Sequence, residues 1–452
     1  MQARNSHHWN KTASALALAG IAFGGLSLAS RTAEAHTYSI TSTTMAITTK
    51  DKICSFPEAV IAINNNAAFD ECPKPDASNN IISLKAGIGN YTISNTIGIN
   101  QSVTIQSATS GQMVTLAQSS TLNSPPSTSN VPLINVNVAS QTNAVHVTFQ
   151  DIDFVGLGRN SVEGVAAGGN DTSDALVFTR CWIEKFDASG LDLIAISLTM
   201  TDSSVDSNSG SGVNSLGAAG ISLEGDNAST YLSLTNTSVT RNKGYGIGLE
   251  LQNGSNTLIV NSTISDNQGT GIALYPMSLT ATPATIDIYD STIAYNTCPV
   301  SQESSGNDCG ISNPTVVGLS ETVSLFGTVI AANSFADGTS SDYSGNLQLL
   351  WDGLLETSDD ATIFNFGGVS ETDYGLTNLD PTLRNNGGAG QRPPLTHKPL
   401  DTSICVDFSP DQFSLPSGEG ALDERHKTRP YAFRGKSSHE YDVGAVELQK
   451  GE

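Results

Sequence analysis

Positive charge is scarce in this sequence. Its 452 residues hold 21 Lys and Arg against 44 Asp and Glu, a formal net charge of −23 at pH 7. So acidic a chain lacks the cationic surface that neutralises phosphates, which argues against nucleic acid as a partner. Soluble polyanions are repelled as well, unless a local basic patch or a bridging cation intervenes. Charge of either sign is low, at 14%, and aromatic residues make up only 6%. Low charge combined with abundant β-branched residues is the opposite of a disordered composition. Histidines are few and scattered, and no Cys or His spacing fits a zinc site.

Long apolar runs are also missing, apart from an Ala- and Gly-rich stretch from Ala13 to Ala29. Arg4 and Lys11 precede it, and Ala33-Glu34-Ala35 follows as a small-x-small cleavage pattern. Residues 1–35 are expected to be a secretory leader rather than a membrane span. Their removal takes away Arg4, Lys11, Arg31 and Glu34, a net of +2, so the exported chain carries −23 − 2 = −25. All six cysteines follow the leader, and an oxidising compartment permits pairing. The close sequence pairs are Cys54 with Cys72 and Cys298 with Cys309. Cys181 and Cys405 are left either to join at long range or to remain buried thiols.

What the chain has in quantity is Gly, Ser, Thr and Asn in a repeating order. A five-residue pattern recurs as Ser204-Val205-Asp206-Ser207-Asn208, Ser238-Val239-Thr240-Arg241-Asn242, Thr263-Ile264-Ser265-Asp266-Asn267, Thr292-Ile293-Ala294-Tyr295-Asn296 and Val329-Ile330-Ala331-Ala332-Asn333. In phase with it run Gly220-Ile221-Ser222-Leu223-Glu224, Gly246-Ile247-Gly248-Leu249-Glu250 and Gly271-Ile272-Ala273-Leu274-Tyr275. Each unit reads as strand, tight turn at Asn, strand and longer loop. A unit with one apolar side cannot bury it alone, so units must stack. Stacking piles Val and Ile into inward columns and Asn into a column at the bend, where each amide bonds its own turn and its neighbours.

The expected fold is all-β: a right-handed parallel β-helix, a pectate-lyase-like solenoid, with a short N-terminal capping helix and an irregular C-terminal cap. Ser55 and Glu58 form a capping box, Pro57 sits in the first turn, and Phe56, Ala59, Val60 and Ile63 supply the apolar face of that helix. The expected organisation is a leader over 1–35, an arm and capping helix over 36–80, the β-helix over 81–336, irregular or terminal coils over 337–379, and a C-terminal cap region over 380–452. Mixed charges in the last region, beside Gly and Pro, suggest a compact body fastened by ion pairs.

The two ends carry a family resemblance. Cys54-Ser55-Phe56-Pro57-Glu58-Ala59-Val60 resembles a "CSLREA" segment, with Phe for Leu and Pro for Arg. Leu383, Asn385-Asn386-Gly387-Gly388, His397, Asp423-Glu424-Arg425, Arg429-Pro430 and Asp442-Val443-Gly444-Ala445-Val446-Glu447 resemble, in order, a choice-of-anchor Q type C-terminal region. His426 departs from the usual Gly. The chain is thus similar to bacterial exported right-handed β-helix proteins. The resemblance implies a secreted or cell-surface location, and because the chain ends five residues after Glu447, a released or non-covalently retained protein.

For chemistry, stacking itself supplies the candidate. Glu224 and Glu250 hold the same place in successive units and would stand about 4.8 Å apart. Such a pair could share a proton, hold a cation, or act as acid and nucleophile. Arg241 and Lys243, on the intervening bend, could supply a cation for a uronate or a carbanion. The polygalacturonase and uronan-epimerase motifs are missing, and Asp359-Asp360 is an isolated pair. No cofactor is called for; Gly168-Gly169-Asn170-Asp171-Thr172-Ser173-Asp174 is a faint Ca²⁺ candidate. The favoured expectation is a monomeric extracellular binding or adhesive surface for a glycan or other cell-surface polymer. The alternative is a polysaccharide lyase or glycoside hydrolase acting on uronic-acid polymers.

Overall fold

The computed structural model of the protein divides into Met1–Glu34 and Ala35–Glu452, and the second unit is described here. The described residues run from His36 to Gln449 without 48–50, 76–79, 123–129, 138–143, 160, 170–172, 210–218, 226–229, 252–253, 276–283, 301–307, 314–321, 345–346, 350–352, 358–359, 366–368, 373–377, 388–391, 404, 407–421, 430–441, 443 and 447; at 322 and 344–372 they are described as backbone alone. The expected leader, Asp359, and Asn170 to Thr172 of the Ca²⁺ candidate lie outside the described residues.

Each coil holds three strands where the sequence reading placed two. One coil comprises Tyr231–Thr235, Ser238–Thr240 and Tyr245–Glu250, and the next Asn256–Val260, Thr263–Ser265 and Ile272–Leu274. Coils pair strand for strand in parallel. Sheet 1 has 11 strands from Thr37–Ile40 to Leu347–Leu349, sheet 2 has 12 from Tyr91–Ile93 to Val369–Thr372, and sheet 3 has nine from Ile97–Ile99 to Tyr343–Ser344, all among the described residues. The result is a right-handed parallel β-helix. Alternate residues face inward, and Val205, Val239, Ile264, Ile293 and Ile330 pair in sequence down sheet 2 with no exposed surface.

Two corners per coil are turned by single left-handed residues. Between sheets 1 and 2 these are Arg180, Asp202, Asn236, Asn261, Asp290 and Gly327; between sheets 2 and 3 they are Lys185, Ser207, Arg241, Asp266, Tyr295 and Ala332. Left-handed backbone costs about 1 kcal/mol for a residue with a Cβ. At the second corner the following Asn offsets that cost. Asn242 Nδ2 donates to Asn267 Oδ1 at 3.0 Å and to Val205 O at 3.2 Å, and its Oδ1 accepts from the Asn208 side chain and backbone, both at 3.0 Å. Asn267, Asn296 and Asn333 continue the pattern. Asn333 finally donates to Asp342 Oδ1 at 2.7 Å, and a carboxylate has no donor with which to extend the file. At the other end Phe186 takes the Asn position and offers only its backbone N–H to Asn208.

The glycine that opens each sheet 3 strand belongs to the same corner. A Cβ on Gly246 would sit 2.6 Å from Gly271 O and 2.8 Å from Asn267 Nδ2, so only glycine lets the ladder and the strand approach. This close approach explains why the Gly-Ile pattern keeps phase with Asn.

The helix Phe56–Asn65 closes the N-terminal end, burying Phe56, Ala59, Val60, Ala62 and Ile63. Glu58 accepts the Ser55 N–H at 2.9 Å, and Asn64 binds the first sheet 3 strand by donating to Gly98 O at 2.8 Å and accepting from Asn100 N at 3.0 Å. The expected arm supplies the first strand of sheet 1, paired with Asn80–Leu84. Cys54–Cys72 and Cys298–Cys309 are disulfides, whereas Cys181 and Cys405 are buried outside these two bridges. Burial pushes the Cys181 thiol up to about 12. After Gly353–Thr357 the chain turns back antiparallel through Asp360–Asn365 and Val369–Thr372, ending sheet 2 with hairpins.

Replacing Asn267 by Ala removes four side-chain hydrogen bonds, those it accepts from Asn242 N and Nδ2 and those it donates to Val239 O and Asn296 Oδ1. At about 1 kcal/mol per hydrogen bond, urea unfolding should show a loss of about 4 kcal/mol. Gly246→Ala should lower stability at the same corner, and an unchanged midpoint for both would refute the ladder as the source of register.

Candidate ligand-binding face

Loop length singles out one face. The corner between sheets 1 and 2 contains two residues in six consecutive coils: 180–181, 202–203, 236–237, 261–262, 290–291 and 327–328. Over the same coils the corner entering sheet 3 ranges from four residues, 241–244, to sixteen, 295–310, and the corner leaving it from two, 195–196, to ten, 275–284. Variation concentrated on both edges of one sheet marks the surface that a rigid scaffold presents.

The sheet 3 strands set out two outward files. Leu191, Leu193, Ile221, Leu223, Ile247, Leu249, Ile272 and Leu274 are buried inward. The alternate residues therefore point out: Asp192, Ser222, Gly248, Ala273 and Ser312 in one file, and Ile194, Glu224 and Glu250 in the other. Tyr275 follows Glu250 one coil on, its N–H donating to Leu249 O at 2.8 Å. Glu224 and Glu250 are thus direct neighbours, as the repeat demanded. Glu250 is buried, with 6% of its surface exposed, and Glu224 is half-buried. Ser222 is fully buried, and its Oγ has no hydrogen-bond partner among the described residues.

An aromatic pair leans over this floor. Tyr245 opens its strand and Tyr275 follows the end of the next, yet their ring centroids lie 6.0 Å apart at 69°. The ends of a six-residue strand are about 17 Å apart, so both rings reach inward over the strands between them. The small file of Gly248 and Ala273 leaves them room. Burial, and then the hydrogen bond with Tyr245, push the Tyr275 phenol well above its ordinary value.

Arg241 and Lys243 do not join the glutamates. Both stand at the corner opening the strand that Glu250 ends, about 17 Å of backbone away. Arg241 is instead held by Asp206 on sheet 2, with Nε to Oδ1 at 2.7 Å and Nη2 to Oδ2 at 2.6 Å. Lys243 is exposed. The physical reason is that stacking aligns equivalent positions of neighbouring coils and leaves positions along one strand far apart. The Ca²⁺ candidate is engaged otherwise: Asp174 is buried and accepts the Val145 N–H at 2.9 Å. Among the described residues, carboxylates close enough to share a cation are Asp51, Glu58 and Asp70, within 4.8 Å of one another beside Cys54.

The sequence reading missed a strap. Described parts of the C-terminal region lie along the outer face of sheet 2 and cover a flank of the solenoid. Arg392 reaches Asp153 at 3.0 Å and Glu184 at 2.8 Å, with its guanidinium 3.9 Å over the Trp182 ring. His397, fully buried, donates from Nδ1 to Asp380 O at 2.7 Å, and its Nε2 lies 2.9 Å from Ser265 Oγ and 3.4 Å from Asp266 Oδ2. Thr263 Oγ1 donates to Glu424 at 2.5 Å, His426 meets Asp202 at 2.7 Å, and Ala445 N donates to Thr292 Oγ1 at 3.0 Å. Ser204, Ser238, Thr263 and Thr292, outward on sheet 2, are all small, and the structure buries every one of them. His397 and Glu424 therefore fasten the C-terminal region to sheet 2, while Arg425 and Arg429 tie that region to itself through Asp423, Asn386 O, Asp442 O and Gly444 O.

Burial pushes the Asp153 carboxyl up to about 6, against the pull of Arg392 and with the repulsion of Glu184. Burial acts on Glu184 too, but hydrogen bonds from Arg392 and Lys185 hold it below the usual carboxylate range. Burial likewise raises Glu424 well above its ordinary value.

The profile of the family described as "right handed beta helix region" matches residues 227–316. No curated protein matches the chain significantly. Among solved structures it is similar to ORF18 of Geobacillus virus E2, at 12% identity and TM-score 0.29 over 64% of this chain and 58% of that one. It is also similar to the mannuronan C-5 epimerase AlgE4 A-module of Azotobacter vinelandii, at 13% and 0.31 over 66% and 91%, and to the periplasmic alginate epimerase AlgG, at 11% and 0.29 over 62% and 77%. No activity follows from likenesses this distant.

Arg392→Ala should leave Asp153 and Glu184 without their shared partner, lower stability by about 2 kcal/mol, and speed limited proteolysis of the C-terminal region. Because Asp153 holds its proton to about pH 6 when folded and only to about 4 when unfolded, it favours the folded state at pH 4 and ceases to as pH rises through that window. Urea titrations should find Asp153→Asn gaining on the wild type by up to about 3 kcal/mol between pH 4 and pH 7.

Proposed function

We propose that this protein works outside the cytoplasm as a rigid binding surface for a polysaccharide, held along the outer face of sheet 3. The observation that carries the reading is the continuous track of Ile194, Glu224, Glu250 and Tyr275 beside Ser222, Gly248 and Ala273, with the Tyr245 and Tyr275 rings over it. Aromatic rings offer sugars a flat apolar face, and carboxylates accept hydrogen bonds from hydroxyls. A stack of strands about 4.8 Å apart is straight and periodic, as is an extended polymer. Two disulfides suit an oxidising compartment. Among the described residues no helix is long and apolar enough to cross a membrane.

Binding is favoured over bond cleavage because, among the described residues, the two cations expected to serve a uronate or a carbanion lie elsewhere. Arg241 is paired with Asp206, and Lys243 lies at the opposite end of the strand from Glu250.

A glycan array read together with product analysis tests the reading. The protein should retain at least one polymer without shortening it, and Tyr275→Ala should weaken retention about tenfold, equivalent to about 1.4 kcal/mol. Shortened chains or unsaturated ends that disappear in Glu250→Gln would instead establish a lyase or hydrolase.

A further inference from the structure

Of the 17 prolines only Pro381 follows an aspartate, and the Asp380–Pro381 bond lies at the start of the strap. The strap pairs with itself on both sides of this bond. Asp380 N donates to Lys398 O at 2.8 Å, and Arg384 and Thr396 exchange both backbone hydrogen bonds, at 3.1 and 2.9 Å. Tyr295 Oη, from the corner that follows sheet 2, fixes the preceding carbonyl by donating to Leu379 O at 3.0 Å. Pro381 and Thr382 are exposed, so water reaches the bond.

Two side chains converge on it. The Asp380 carboxylate is folded across the bond, because its Oδ1 accepts the Thr382 N–H at 2.9 Å while Arg384 Nε holds Oδ2 at 2.9 Å. The ring closed by the first of these hydrogen bonds contains both the Asp380 carbonyl carbon and the Pro381 nitrogen. On the carbonyl oxygen sits His397, with Nδ1 2.7 Å from Asp380 O. A carbonyl oxygen can only accept, so Nδ1 carries the proton. The imidazole is fully buried and held from behind, its Nε2 2.9 Å from Ser265 Oγ, and the Tyr295 ring packs against it with centroids 4.8 Å apart. A fixed N–H aimed at a peptide carbonyl is what an oxyanion hole supplies. Fastening the strap needs some acceptor for His397, but it does not need that acceptor to be the carbonyl of an Asp–Pro bond.

We propose that the protein cleaves its own chain between Asp380 and Pro381. A carboxylate oxygen of Asp380 attacks the Asp380 carbonyl carbon and forms a C–O bond; the carbonyl oxygen takes the negative charge, and the His397 Nδ1–H holds it. The C–N bond then breaks. The Pro381 nitrogen leaves with the electron pair and takes a proton from water, and the Asp380 residue is left as a cyclic anhydride. The hydroxide formed opens the anhydride to two carboxyl groups, one of which gives its proton to the released amine. One water is consumed, and no other reactant is required. Proline suits this step because its tertiary amide releases a strongly basic secondary amine. The pinned backbone keeps attacking oxygen and carbonyl carbon together, which lowers the entropy cost of closing the ring. The anchors Arg392, His397, Glu424 and Ala445 all follow the cut, so the released segment stays docked as a second chain. This activity is independent of any ligand on sheet 3.

The test is incubation of the full chain at neutral pH with protease inhibitors, followed by intact mass spectrometry after denaturation. The wild type should accumulate a fragment beginning at Pro381, at a rate independent of protein concentration, while native size-exclusion chromatography still shows one particle. Asp380→Asn and Pro381→Ala should each abolish the cut, and His397→Ala should slow it about a hundredfold. In water labelled with heavy oxygen, the label should divide between the α- and side-chain carboxyls of Asp380, because an anhydride opens at either carbonyl. A wild type that stays intact, label confined to the α-carboxyl, or an Asp380→Asn chain cut as fast as the wild type overturns the proposal. Unfolding midpoints identify any variant that folds poorly, and the position of the label in the wild type decides the matter even then.

Discussion

The fold depends on parallel backbone pairing held in register by the buried asparagine ladder. Parallel strands with short corners could slip, and a one-residue slip would turn every inward aliphatic outward. The ladder opposes that slip because each amide accepts from the coil before and donates to the coil after. It also makes a non-glycine left-handed residue tolerable at each bend, including Tyr295 and Ala332. With register fixed, Glu224 must lie against Glu250, and Ser222 against Gly248. The candidate face is therefore a product of the repeat and does not require its own scaffold.

Much of this could be read from the chain. The Asn and Gly-Ile patterns are tied to one corner by a steric condition, so they recur visibly. Between residues 204 and 333 the strands of sheet 1 escaped notice because they have no such condition: Leu232 and Leu234, Ile286 and Ile288, and Val323 and Leu325 alternate properly but carry no fixed punctuating residue. The Glu224 and Glu250 neighbourhood followed from spacing. The grouping of Arg241 and Lys243 with them did not survive, since nearness in sequence on one coil becomes the length of a strand. The strap was illegible for a different reason. Its partners are remote, as with Arg392 and Asp153 or Glu424 and Thr263, and an outward Ser or Thr in sequence looks like an ordinary solvated residue.

The two sides of the solenoid differ in chemistry as a result. Sheet 2 gathers paired charges, a buried His397 and raised carboxyls beneath a covering segment, an arrangement that fixes structure. Sheet 3 has acids, a buried hydroxyl and two tyrosines bordered by loops of changing length. Perturbed titration alone would have pointed to the first side, where burial under the strap is its cause. Loop variation points to the second.

The strap also works as a ruler. It touches Asp153 and Glu184 near one end, Thr263 and Ser265 further along, and Thr292 with Gly327 near the other. Solenoids ordinarily gain or lose coils by duplication or deletion, since each unit answers only to its neighbours. Here an added coil between Glu184 and Thr263 would move these anchor points apart by one rung while the strap kept its length. The segment thus holds an otherwise open-ended architecture to one number of turns.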